Sequence, residues 1–268
     1  MSLREVKNRI KSIQSTRQIT GAMELVAASK LKSVKERAEK STPFFDALKN
    51  SIEDIAFGSY DNTSPYLSKT NPGQVLHIVI AGDRGLAGGY NSNVLNMNDF
   101  PKEDLILPIG KKAVECFHDE QIISTDYQKA QLTDFSDCIM MGELINTMFL
   151  ERKVSKVIIH YTKFINAIIQ KPESHFILPL AFDTNRTKKQ ILYEPSLEEV
   201  FYHIVPMYIS GIIYGALCSS VASEISARRN SMRSANENAD EMLDSLRLQY
   251  NRTRQAQITE ELTEIVNQ

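Results

Sequence analysis

The chain has 268 residues, is 42% apolar and 24% charged, and carries a net charge of −2. That is an ordinary globular profile, long enough for one large or two small domains, and it excludes a global affinity for polyanions. Charge is nevertheless uneven: residues 1–40 hold ten Lys/Arg against four Asp/Glu, a local excess of +6 that concerns partners.

Ser2 and Glu5 are spaced as a capping box at the start of a first helix. From Leu3 through Val6, Ile10, Ile13, Arg17, Thr20, Glu24, Ala27, Leu31, Val34 and Ala38 the spacing alternates between three and four residues, with a polar middle. Gly21 weakens the helix, and Pro43 permits a short interruption before Phe44, Phe45, Leu48, Ile52 and Ile55 resume the period. A helix of about 55 residues is roughly 80 Å long, which calls for a coiled-coil partner.

Residues 58–73 are turn-rich and read as a linker. The middle of the chain then alternates strand and helix. Strands are expected at Val75–Ala81, Leu105–Ile109, Val154–Lys163, Phe164–Gln170 and His175–Leu180. Helices are expected at Tyr90–Leu95, Lys111–His118 and Phe135–Glu151. This order predicts an open, mostly parallel, Rossmann-like sheet.

From Ser196 onward the pattern is helical, with Pro206 expected to kink or offset it. The segment from Ser196, with an apolar series through Leu217, Val221, Ile225, Met232, Ala235, Ala239, Met242, Leu246, Tyr250, Ile258, Leu262 and Ile265, covers about 70 residues, or roughly 105 Å. The fold expected is therefore α/β plus long helices. Residues 1–57 and 196–268 form an antiparallel coiled coil, and residues 58–195 form a central α/β domain. Small and polar residues, Thr20, Ala27, Ala235 and Ala239, interrupt the seam and predict modest stability.

The glycine-rich stretch Gly82-Asp83-Arg84-Gly85-Leu86-Ala87-Gly88-Gly89 follows a strand, as phosphate-binding loops do. Its spacing, however, is neither that of the dinucleotide fingerprint nor that of the triphosphate loop, and Asp83 would repel a phosphate. A structural turn made by Gly82, Asp83, Arg84, Gly85, Gly88 and Gly89 is expected, and no cofactor. The basic helix lacks interleaved aromatics, so no nucleic-acid partner is expected. His77, His118, His160, His175 and His203 have no metal-ligand spacing, and no Ser-His-Asp set can be placed. Cys116, Cys138 and Cys218 read as buried reduced thiols. No apolar run approaches 20 residues, so neither a membrane span nor export is expected. The C-terminal turns mix apolar, Arg, Gln, Thr and Glu positions around the whole helix, so a tip that outruns its partner must be sheathed by another protein.

Long strings resemble the gamma subunit family of F-type ATP synthases. They are Gln18-Ile-Thr-Gly-Ala-Met-Glu-Leu-Val-Ala-Ala-Ser-Lys-Leu31, the Asp83-Arg-Gly-Leu turn, Tyr161-Thr-Lys-Phe-Ile-Asn166, Leu192-Tyr-Glu-Pro195, Ala222-Ser-Glu-Ile-Ser-Ala-Arg228 and Tyr250 to Ile265. The resemblance covers essentially the whole chain. It implies a central-stalk rotor that couples ion-driven rotation of a ring of c subunits to ATP synthesis or hydrolysis in an alpha–beta ring. The rotor does no bond chemistry of its own. The implied partners are the alpha, beta and epsilon subunits and the c-ring, so that membrane association is indirect. By motif position, Arg254, Gln255, Thr259 and Glu261 meet the catalytic ring. Met23, with Arg9 and Lys30, meets the acidic lever of beta, and Tyr193 and Glu194 lie near the c-ring or epsilon. The family often carries lysine where Gly21 stands, and the plant-type cysteine insertion and a transit peptide are both missing. The resemblance thus implies a bacterial complex at the cytoplasmic face of the plasma membrane, without thiol regulation. The alternatives are a nucleotide-binding α/β enzyme with helical arms and a coiled-coil adaptor.

Overall fold

The structure, a computed structural model, describes residues 2–58, 64–67, 73–97, 100–117, 121–180, 194 and 196–266. The chain divides into two compact units: Met1–Lys30 with Arg228–Gln268, and Leu31–Ala227. Helix α1 spans Leu3–Gly58. Its capping box forms as expected: Glu5 N–H donates to Ser2 Oγ at 3.3 Å, and Ser2 N–H to Glu5 Oε2 at 2.8 Å. Pro43 does not interrupt it. Proline removes the bond to the carbonyl four residues back, and here that carbonyl belongs to exposed Glu39, which water can serve.

In the Leu31–Ala227 unit, strands β1 (Gln74–Ile80), β2 (Leu105–Ile109), β3 (Val154–Phe164) and β4 (Gln170–Leu178) form one sheet in the order β2-β1-β3-β4. β1 runs parallel to both neighbours and β4 antiparallel to β3. Short helices α2 (Tyr90–Leu95) and α3 (Lys111–Val114) and the longer α4 (Phe135–Leu150) fill the connections. Leu76, Ile78 and Ile80 are wholly buried on one face of β1. Val79 and Ala81 pack on the other with Val94, Ile106 and Ala113. Burial on both faces explains why β1 reads as an unbroken apolar run.

Two expected elements need correction. Phe164–Gln170 is not a strand but the tight link between β3 and β4. Asn166 Oδ1 accepts the N–H groups of Ile168 and Ile169 at 2.9 and 2.8 Å, so a side chain replaces a ladder partner. The helix expected at Lys111–His118 is a single turn, and His118 lies outside the described residues.

Helix α5 runs Leu197–Val266 without a break at Pro206, whose lost bond again falls on an exposed residue, Tyr202. Ser196 caps it, accepting Glu199 N–H at 3.3 Å. One window of α5 is long and apolar enough to cross a membrane by length and composition, a run that the sequence reading did not find. Of that window 61% is buried within the protein's own fold, as in a core helix. α4 packs closely on it at Gly142, where a Cβ would lie 2.2 Å from Ser210 Oγ and 2.7 Å from the Pro206 carbonyl oxygen.

In the other unit, the N-terminal part of α1 and the C-terminal part of α5 pair antiparallel. Arg17 forks onto Asp240, with Nε–Oδ1 at 2.5 Å and Nη2–Oδ2 at 3.1 Å. Thr20 Oγ1 donates to Asn236 Oδ1, and Asn236 Nδ2 donates to Glu24 Oε2 at 2.9 Å. These polar links mate only in one alignment, so they set register where the small residues Ala27 and Ala239 leave little apolar grip. Gly21 lies in this stretch with room for a methyl group, an added Cβ meeting Asn236 Nδ2 at an ordinary contact distance of 3.8 Å. Gly21→Ala is therefore expected to stabilise the chain by about 1 kcal/mol, read as a higher urea midpoint at unchanged m-value.

Candidate functional site

The residues expected to meet partners fall into two groups. Along the paired helices, Arg9 and Lys30 are exposed, and Met23 is half-buried. Beside them Ile19, Leu25 and Val26 are 59%, 73% and 56% exposed. The sequence reading passed over these three. Their signal was available, because they lie off the seam positions Thr20, Glu24 and Ala27 yet are apolar.

At the far end of α5, Arg254, Gln255, Thr259 and Glu261 are all exposed. Thr259 Oγ1 donates to the Gln255 carbonyl at 2.9 Å, and Gln257 Nε2 to Glu261 Oε1 at 3.0 Å, so these groups are tied along their own helix. Counting along the antiparallel pair from Arg17–Asp240 places Leu3 level with about residue 254. The last three turns of α5 therefore run past the start of α1 by roughly 16 Å. They carry Ile258, Leu262 and Ile265 at 47%, 58% and 70% exposure. Glu194 is exposed in the other unit, and Tyr193 lies outside the described residues.

The glycine stretch sits at the carboxyl end of β1, between β2 and β3, which is where open α/β sheets hold their ligands. Here the chain itself fills that place. Glu224 of α5 is 1% exposed, and its Oε1 lies 3.0 Å from where a Cβ on Gly82 would stand. Tyr90 is 5% exposed, and burial pushes its phenol far above the ordinary range. The loop's polar groups are turned inward. Gly82 N–H donates to Asn91 Oδ1 at 2.8 Å, and Asn91 Nδ2 to the Arg84 carbonyl at 3.2 Å. Asp83 accepts the N–H groups of Ala130 and Gln131 at 2.7 and 3.2 Å, and Gln131 reaches Glu224 Oε2 at 3.2 Å. Gly88 has a φ of 56°, which suits glycine, whereas exposed Leu86 adopts 60° without that freedom. Gly85 and Gly89 are exposed, as is Arg84.

Asp83 thus ties the loop to the segment before α4. Asp83→Ala would leave two N–H groups without their acceptor, one on buried Ala130, at a cost of about 1–3 kcal/mol. Faster amide exchange at Ala130 and Gln131 is the expected signature, and Asp83→Asn, whose amide keeps a single acceptor oxygen, should restore only one of the two.

A second group was missed entirely. Thr162 and Phe164 extend β3 past the point where β1 ends its pairing, at Val79–His160. Their N–H groups donate instead to Ser220 Oγ at 3.0 Å and Ser219 Oγ at 2.8 Å, while Ser223 and Ser226 donate to the carbonyls of Thr162 and Ala167. Four serines within eight positions of α5 were the signal: a helix face that serves as the missing strand neighbour.

The histidines also differ from expectation. Tertiary structure joins Asp104, His77, His160 and Ser174 in one hydrogen-bonded chain, although no such set could be placed from sequence. Among the described residues no cluster of His, Cys, Asp or Glu is arranged to hold a metal. Cys138 and Cys218 are buried as expected, and burial pushes the Cys138 thiol up to about 12, which makes it a poor nucleophile. Cys116, by contrast, is exposed.

A filled ligand crevice, together with a helical pair whose apolar side chains stay uncovered, defines a scaffold-type subunit, built to be gripped by other chains. The comparisons with known proteins agree in kind. The family described as ATP synthase matches residues 2–267. The ATP synthase gamma chain of Ruminococcus albus is 42% identical over 98% of this chain and 96% of its own length. The sodium ion specific ATP synthase gamma chain of Acetobacterium woodii is 35% identical over 99% and 97%. The rotor in the Euglena gracilis mitochondrial ATP synthase shares the fold, at 16% identity and a TM-score of 0.68 over 96% of this chain and 98% of that one. This chain belongs to the ATP synthase gamma chain family. It is a central-stalk subunit and is not itself catalytic.

Proposed function

We propose that this subunit is the torque-carrying shaft between a c-ring and the alpha–beta catalytic ring of a bacterial ATP synthase, at the cytoplasmic face of the membrane. The observation that carries this reading is the tip of α5, where Ile258, Leu262 and Ile265 stand exposed beyond the start of α1. Apolar side chains on a helix with no intramolecular neighbour are stable in a soluble assembly when another chain encloses them. In this reading Arg254, Gln255, Thr259 and Glu261 meet the loops of the alpha–beta ring. Met23, with Arg9 and Lys30, faces the acidic lever of beta, and the exposed Ile19, Leu25 and Val26 share that surface. The α/β portion, taken as residues 58–195 between helical segments 1–57 and 196–268, serves as the foot toward epsilon and the c-ring, with Tyr193 and Glu194 on that side. Membrane association is indirect.

Torque is carried by stiffness and by asymmetry, and exposed polar contacts are individually weak. Coupling is therefore spread over the tip. Co-expression with the alpha and beta subunits tests the assignment: one co-purifying assembly with ATPase activity is expected. Micromolar binding of ATP, ADP or NAD by the isolated chain in titration calorimetry, without such an assembly, would instead favour the nucleotide-binding enzyme.

A further inference from the structure

The four serines of α5 meet the sheet through its main chain. Ser219 Oγ accepts the Phe164 N–H at 2.8 Å, and Ser220 Oγ accepts that of Thr162 at 3.0 Å. Ser223 Oγ donates to the Thr162 carbonyl at 3.1 Å, and Ser226 Oγ to the Ala167 carbonyl at 2.8 Å. Ser220, Ser223 and Ser226 are wholly buried, and Ser219 is half-buried. At spacings of three and four they share one face, over roughly 10 Å of helix. Each partner is itself anchored. β3 pairs with β4 as far as Phe164–Gln170. Thr162 stands opposite Pro172, which has no N–H to offer, and gives both its own backbone groups to α5. Ala167 sits in the link that Asn166 closes.

Nearer its start, α5 is held by apolar burial at Phe201, Val205, Ile209 and Ile213. Apolar contact is non-directional, so it resists separation more than sliding or rolling. A hydrogen bond weakens steeply when it is bent or stretched, and so resists shear. A serine oxygen is set off from the helix backbone by χ1 alone, which a staggered well holds, so these links are short and stiff. Their place along the helix matters as well. The unit that contains the sheet ends at Ala227, and α5 continues past it to Val266. The serines thus occupy the last two turns of α5 inside that unit, where a twist applied to the sheet enters the helix.

We propose that Ser219, Ser220, Ser223 and Ser226 form a shear-resistant spline through which torque passes between the sheet and α5. This rests on the reading of the chain as a torque-carrying shaft, and it names the residues where the load crosses from the α/β portion to the helix. The serines act by positioning: they touch no reacting group, and they hold the angle of α5 against β3 under load.

Single-molecule rotation of a complex of this chain with alpha and beta subunits tests the spline. The alpha–beta ring is fixed to a surface, and a bead is attached through Cys116, the exposed thiol of the α/β portion. The angular variance of the bead during ATP-waiting pauses reports the stiffness between that portion and the ring. Ser223→Ala combined with Ser226→Ala removes two links and leaves carbonyls, the more tolerated of the backbone groups, unpaired. Independent links add, so the variance should rise about 1.5- to 2-fold. Ile106→Val, in a buried cluster with Val79, Ala81, Val94 and Ala113, costs stability without touching the serines and should leave the variance unchanged. An unmoved variance in the double variant, or an equal rise in Ile106→Val, overturns the spline. Should the double variant fail to assemble, Ser219 decides: Ser219→Ala should widen the spread and Ser219→Thr, which keeps the hydroxyl, should restore it, whereas equal spreads overturn the proposal. Absence of rotation with the unaltered chain would overturn the shaft reading and the spline with it. Rotation with an unmoved variance overturns the spline alone.

Discussion

Deleting residues 256–268 is expected to leave the isolated chain as stable as before, yet to lower coupled activity at least tenfold in the assembled complex. The described residues removed, 256–263 and 265, are exposed, so the isolated chain loses little burial. Its melting temperature should move by no more than about 2 °C, as for surface changes generally. In the assembly the same turns lose Ile258, Leu262 and Ile265, each worth about 1.5–3 kcal/mol if another chain covers it. Arg254→Ala, in contrast, removes one exposed polar group and should reduce ATP-driven ion pumping by no more than about fivefold, in keeping with contacts worth under about 1 kcal/mol. Full coupling in the truncated complex, or abolished coupling in Arg254→Ala alone, would show that the tip is not gripped as a distributed surface.

Gly110→Ala should destabilise the Leu31–Ala227 unit by about 3 kcal/mol or more, the largest effect expected of any single substitution considered. Gly110 follows β2 with a φ of 93°, a region that side chains rarely adopt. A Cβ there would stand 2.2 Å from the Ala81 carbonyl oxygen, which is backbone and cannot swing aside. Backbone strain of about 1–2 kcal/mol and overpacking of about 1–3 kcal/mol act together. Gly85→Ala is the internal control. It sits in the glycine-rich stretch from Gly82 to Gly89, but nothing lies within 4 Å of its added Cβ, and its urea midpoint should hardly move. Equal midpoints for the two variants would contradict this account of which glycines matter.

These two glycines illustrate what a sequence conceals. The stretch from Gly82 to Gly89 drew notice because glycines were dense there, yet the most constrained glycine of the sheet edge stands alone after β2. Density is local, whereas the close approach at Gly110 is made by Ala81, 29 positions away. Periodicity served better where one element meets one environment. The unbroken apolar run at β1 and the capped start of α1 were legible, because burial and capping act over a few residues. Phe164–Gln170 misled for the opposite reason. Its apolar side chains suggested a strand, but Asn166 turns the chain, and Ile165, Ile168 and Ile169 remain more than half exposed.

The sequence by itself determined the two long helices, the alternating middle and the family, since these rest on period, caps and long matching strings. Tertiary structure alone decided three things. It aligned the seam through Arg17–Asp240 and Asn236, because polar partners on separate segments mate only at one register. It filled the ligand crevice at the end of β1 with Glu224 and Tyr90, which makes the glycine loop a braced turn. And it threaded Asp104, His77, His160 and Ser174 into one chain, because strands distant in sequence lie about 4.8 Å apart in a sheet, a proximity that no spacing rule along the chain can express.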